Sequence, residues 1–173
     1  MKRTLGLLIA LCLALNFGQS SPAIAAAPYD ASAVMFAEMM VPHHKQAVLI
    51  SQWALKQSSN ASVKKLAAKI IAEQSPEINQ MNKWLPANSM MGMDHGMPGV
   101  VSASDLAKLK AARSKKFDGL YLVDMTLHHQ GAIAMATPLT KSKNPEVAAL
   151  CKGIVAGQSA EILEMRRIMV AGK

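Results

Sequence analysis

The chain repeats itself. The segment Phe36, Met40, His43, His44, Gln46, Ala47, Val48 returns 85 residues later as Tyr121, Met125, His128, His129, Gln130-Gly131, Ala132, Ile133, with the glutamine moved by one place. Asn60-Ala61-Ser62-Val63 answers to Asn144-Pro145-Glu146-Val147 at a shift of 84. Gln74-Ser75, Glu77-Ile78 and Met81 answer to Gln158-Ser159, Glu161-Ile162 and Met165 at the same shift. A duplicated unit of this kind is one supersecondary element that buries its apolar face against its twin. The chain is therefore constrained to two similar halves packed on each other.

Each half reads as two helices. Val63, Leu66, Ile70, Gln74, Ile78, Met81 and Leu85 keep the three-and-four spacing of one helix face, as do Val147, Leu150, Cys151, Ile154, Gln158, Glu161, Ile162 and Met165. Asn60 and Asn144 suit N-caps, and Pro145 the first turn. The preceding helix of each half carries Phe36, Met40, His43, Ala47 and Ile50, or Tyr121, Met125, His128, Ala132 and Met135. Pro42 removes a backbone donor and should kink its helix just before the histidines. No alternating β-branched run competes. The expectation is an all-α four-helix bundle of two duplicated hairpins, residues 30–85 and 104–171, joined by a Met/Gly-rich linker over 86–103.

Residues 1–25 read as a secretory signal peptide: Lys2-Arg3, an apolar run from Leu5 to Phe17, and the small-x-small site Ala23-Ile24-Ala25. The run is too short for a comfortable membrane span, and Cys12 lacks the small preceding residue of lipoprotein processing. A periplasmic or secreted protein without a transmembrane anchor is expected. Cleavage leaves about 148 of 173 residues and lowers the formal charge from +8 to about +6. Export removes most nucleic-acid readings of that surplus, which is assigned to solvated lysine faces. Cys151 alone survives, so no intramolecular disulfide forms, and its core spacing makes it a buried thiol.

The linker carries Met90, Met91, Met93, His95 and Met97 within eight residues, among glycines. Thioether sulfur is a soft, uncharged donor that selects Cu(I) or Ag(I) over Zn, Mg or Ca. The twin Met-x-x-His-His motifs, Met40 with His43-His44 and Met125 with His128-His129, add further soft and imidazole donors. Residues three or four apart share a helix face, so Met40 with His44, or Met125 with His129, can share one ion. Adjacent histidines diverge by about 100°, placing His43 and His128 on the central stripe and His44 and His129 towards its flank. Without metal, His43 and His128 would instead serve as partners for the stripe residues Gln74, Glu77, Gln158 and Glu161.

The run from Met125 through His128-His129-Gln130-Gly131 to Ala136, with its first-half twin, resembles the bacterial domain-of-unknown-function family DUF305 over roughly Asp30 to Val170. The resemblance implies a ferritin-like bundle outside the cytoplasm. It is strongest to copper-binding members of that family, and implies Met40, His43, His44, Met125, His128 and His129 as ligands. Lys45-Gln46 departs from the usual Gln-Gly. The expected function is sequestration or relay of Cu(I), with Cu(II) and Ag(I) as alternative ions. A copper-exporting or copper-delivery protein would be the partner, and the oligomeric state is left open. The alternatives are a metal-independent structural module and a di-iron oxidase. The latter needs Glu-x-x-His, which occurs nowhere in the chain, so no enzyme is expected.

Overall fold

The computed structural model describes residues 29–87, 89 and 96–172. The signal-peptide assignment, and Met90, Met91, Met93 and His95 of the linker, lie outside the described residues. Five α-helices are present among them: α1 (Ala31–Gln57), α2 (Ala61–Asn82), α3 (Ala103–Ala111), α4 (Ser114–Ala136) and α5 (Pro145–Ala171), with a 3-10 turn over Thr137–Lys141.

Local signals set the helix starts. Asp30 accepts a hydrogen bond from the Ala33 amide at 2.8 Å. The Asn60 side chain caps α2 through the amides of Ser62 and Val63. Asn144 caps α5 through those of Glu146 and Val147, with Pro145 in the first turn, where its missing N–H costs nothing. Pro42 lies inside α1, which runs through it as one 27-residue helix.

The four long helices form a bundle in which neighbours are antiparallel. α1 and α2 are joined by a three-residue turn. α1 meets α4 at His43–His128 and again at Ser51–Tyr121. α2 meets α5 at Lys69–Glu161, and beyond its end Trp84 meets Glu146. The chain therefore travels the length of the bundle between α2 and α4, the single long crossover of ferritin-like bundles. The short helix α3 ends that crossover. It is capped by Ser102 and tucks Leu109 into the core.

The core is divided along the axis. One apolar cluster holds Ile50, Leu66, Ile70, Phe117, Tyr121, Met125 and Met165. The other holds Phe36, Met40, Met81, Trp84, Val147, Cys151 and Ile154. Each such fully buried side chain stabilises the fold by roughly 1.5–3 kcal/mol. Between the clusters lies a polar layer contributed by all four long helices.

Candidate metal centre

The duplicated motifs converge in that layer. His43 and His128 face each other across the α1–α4 interface with ring centroids 3.7 Å apart and planes tilted by 36°. His44 turns towards α2, where its Nε2 lies 2.9 Å from Glu77 Oε2. His129 turns towards α5, with Nε2 2.8 Å from Glu161 Oε2. All four imidazoles are inaccessible to solvent.

This corrects the expected pairing. The flank histidines, not the central ones, are the partners of the glutamates. The 100° turn between adjacent helical residues aims one histidine of each pair within its own hairpin and the other across to the second hairpin. Gln74 and Gln158, expected to be satisfied by histidine, have neither their Nε2 nor their Oε1 hydrogen-bonded within the protein.

Hydrogen bonding fixes which nitrogens remain as donors to a metal. The Pro98 carbonyl, 3.1 Å from His43 Nε2, can only accept, so that nitrogen carries the proton. The carboxylates of Glu77 and Glu161 do the same for His44 and His129. In all three rings Nδ1 is buried and without a hydrogen-bond partner, and in His128 both nitrogens are. A histidine whose second N–H is given to a carboxylate or backbone carbonyl, with its other nitrogen free, is the usual arrangement of a metal ligand.

The layer also keeps its two central rings, His43 and His128, neutral. Burial, reinforced by the neighbouring His44, pushes the His43 pKa down to about 3. Burial, and then His43 and His129, hold His128 well below the ordinary imidazole range. Neutral imidazole is the form that binds metals.

The methionines bracket the layer. Met40 and Met125 are fully buried, each one turn from its histidine pair, but in opposite apolar clusters. Met81 and Met165 belong to the core, and Met165 sulfur accepts from Thr126 Oγ1 at 3.4 Å. Met97 is half-buried beside Pro98. Cys151 is buried in an apolar setting that, with the Glu77 charge, raises its thiol pKa to about 12. Among the described residues no group of three or more His, Cys, Asp or Glu side chains is placed to hold one ion. The soft donors near the layer are imidazole Nδ1 and, in the adjoining apolar clusters, thioether sulfur, donor types that suit Cu(I) and Ag(I).

The described parts of the crossover, Ser89 and the stretch from Pro98 to Val101, lie against α1 and α4 beside this centre. Ser89 Oγ donates to Glu38 at 2.7 Å, Pro98 reaches His43, and Gln46 clamps Val101 through two bonds, at 3.1 Å to its carbonyl and 2.8 Å from its amide. The duplicate of Gln46 is Gly131, and a Cβ there would overlap the Pro98 carbonyl. Gly99, at φ +78°, packs so closely on α4 that a Cβ would lie 2.5 Å from the Leu127 carbonyl oxygen. One crossover serves two halves, so the repeat breaks its symmetry here. The departure at Lys45-Gln46 is the clamp, and the glycine of the second motif is the track.

A family model, the domain of unknown function DUF305, matches residues 33–169. The chain belongs to the DUF305 family. A DUF305 fragment from Deinococcus radiodurans superposes with a TM-score of 0.75 at 30% identity, covering 83% of this chain and 99% of that one. A DUF305 protein of Streptomyces coelicolor, described as secreted, gives 0.73 at 29% identity over 84% and 95%. CopM in a Cu(II)-bound form gives 0.71 at 35% identity, covering 82% of this DUF305 chain and 97% of CopM. CopM is also known in Cu(I)-bound, silver-bound and apo forms, its Cu(I) form matching at 0.63 and 34%. A mimivirus protein, L153, is 41% identical over 46 residues, which span only 30% of its length.

Three parts of the centre were not read from the sequence. The sequence marks Glu77 and Glu161 as stripe residues, and the structure makes them the partners of His44 and His129. Their common register with the histidine pairs in both repeats was the available signal. The Pro98 carbonyl and the Gln46 clamp depend on the crossover's path, which no local pattern encodes.

Proposed function

We propose that this protein is an exported copper-binding protein that sequesters or relays Cu(I), and takes Cu(II) or Ag(I) through the same Met and His side chains, in support of copper tolerance. His128 carries the proposal. A fully buried, neutral imidazole with no well-formed hydrogen bond at either nitrogen is a costly arrangement for a purely structural residue, and it gains partners when a metal binds. Met40 with His44 and Met125 with His129 are two symmetric ligand pairs, and His43 and His128, which lie ring to ring between the repeats, supply further imidazole nitrogens. The likeness to CopM, with its copper- and silver-bound forms, supports the soft-metal class. Met97, next to the Pro98 whose carbonyl reaches His43, would offer one thioether, and Met90, Met91, Met93 and His95 of the linker are further soft donors by their chemistry. A thioether–imidazole environment favours the reduced ion and restrains its redox cycling. Among the described residues no helix is long and apolar enough to cross a membrane, and the Streptomyces relative described as secreted supports an extracytoplasmic location.

A metal-independent structural module is the second reading. The His44–Glu77 and His129–Glu161 bonds favour it, but it leaves His128, Gln74 and Gln158 unexplained. X-ray absorption of the Cu(I)-loaded protein separates the two. Mixed sulfur and imidazole scattering that loses its sulfur part in M40L/M125L supports the copper reading. Oxygen-only scattering, or a spectrum indifferent to those substitutions, rejects it.

A further inference from the structure

On the opposite side of the polar layer, between α2 and α5, lies a cleft of about 330 Å³ whose walls include Glu73, Gln74, Gln158 and Glu161. Gln74 and Gln158 are 1% and 3% exposed, yet neither end of either amide has a hydrogen-bond partner. Glu161 is 1% exposed, and its Oε1 makes no hydrogen bond. Buried amides lacking partners are expensive. Here they are gathered on one opening.

That opening already attracts a cation. Lys69 Nζ sits 3.6 Å from Glu73 Oε1 and 3.5 Å from Glu161 Oε1. The second repeat has no side chains at the matching positions. The duplicates of Lys69 and Glu73 are Gly153 and Gly157, both on the cleft wall. Nothing lies within 4 Å of a Cβ at Gly153, so packing does not demand it, and a mid-helix glycine costs about 0.5–1 kcal/mol relative to alanine.

We propose that this cleft is a second metal site, chemically distinct from the soft one, that holds a divalent cation through the amide oxygens of Gln74 and Gln158 and the carboxylates of Glu161 and Glu73. All-oxygen donor sets select hard cations such as Mn(II), Mg(II) and Ca(II). Lys69 occupies the mouth as a tethered competitor and swings out when the ion enters. The two sites share Glu161, whose Oε2 holds His129, but the tests are separable, because Mn(II) does not take thioether ligands.

Mn(II) titration of the metal-free mature protein, followed by electron paramagnetic resonance, tests it. One Mn(II) per chain is expected, displaceable by Ca(II) and unaffected by prior loading with Ag(I). Q74L/Q158L removes orphaned polar groups and should remain folded by circular dichroism while binding Mn(II) at least tenfold more weakly. K69M should bind several-fold more tightly, a gain that misfolding cannot produce. Absence of a retained Mn(II) in the wild type, or identical binding by wild type, Q74L/Q158L and K69M, overturns the proposal.

Discussion

His43 and His128 lie ring over ring, centroids 3.7 Å apart, although 85 residues separate them in the chain. The contact joins the two repeats at the middle of the bundle. Two imidazolium rings could not share that place, so the fold selects the neutral form of both. Burial is the main cause, and the neighbouring histidines reinforce it.

This has a signed consequence for the metal-free protein. The His43 pKa is about 3 in the fold, against about 6.5 in an unfolded chain. Between those values the unfolded chain binds a proton that the folded chain refuses, so stability is fully present above pH 6.5 and falls as pH drops towards 3. His128 acts in the same direction. The half-exposed Glu73 carboxyl, raised by burial and by Glu161, opposes it at acid pH. Urea midpoints measured from pH 7.5 to 4 should decline steadily, and a midpoint that rises on acidification contradicts the neutral-pair account.

One of the differences between the repeats is a buried hydroxyl pair. Ser51 and Tyr121 share a buried hydrogen bond of 3.0 Å, while their duplicates, Ala136 and Phe36, lie together in the other apolar cluster. S51A strands the tyrosine hydroxyl and should cost about 1–3 kcal/mol, whereas S51A/Y121F recreates the apolar pair and should be nearly neutral. A double-mutant cycle by chemical denaturation measures this coupling. Additive losses would show that the bond is not the link.

Two glycines should respond oppositely to alanine. G131A forces the crossover off α4 and should destabilise by about 1–3 kcal/mol, with faster amide exchange at Val101, whose N–H is held by Gln46. G153A adds its methyl to open space and should stabilise by about 0.5–1 kcal/mol. Equal effects at the two positions would remove the argument that the crossover is seated on α4.

If Glu77 and Glu161 orient His44 and His129 for metal, E77Q and E161Q should each weaken Cu(I) binding by roughly 10–100-fold without unfolding the bundle, the usual cost of losing an outer hydrogen-bond partner. Competition titrations against a Cu(I) chelator would show it. Unchanged affinity in both variants would make the glutamates purely structural.

How much was legible beforehand follows the range of the interactions. The duplication, the Asn60 and Asn144 caps and the 3.6-residue stripes are local signals, and they suffice for a four-helix bundle with the histidine pairs on its inner faces. The helix α3 was missed, although Ser102 three residues before Asp105 was a readable cap: Ser102 Oγ accepts from the Asp105 amide at 3.1 Å and donates to its carboxylate at 2.7 Å. The assignment of His43 and His128 as glutamate partners failed because a helical wheel ranks distance from the stripe centre but does not say which neighbouring helix each flank meets. The Pro98–His43 bond and the Gly131 track arise from the path of the crossover between α2 and α4, set by tertiary topology. No periodicity records it.

The central claim is a soft-metal centre of buried imidazole and thioether. Its most direct test is an anaerobic Cu(I) titration of the mature protein against a competing chelator, with Ag(I) and Zn(II) in parallel, on the wild type and on H44N/H129N. Tight binding of Cu(I) and Ag(I) but not of Zn(II), lost in the double variant, is the predicted result. Weak binding without preference among the three ions, or tight binding that survives removal of both histidines, would contradict it.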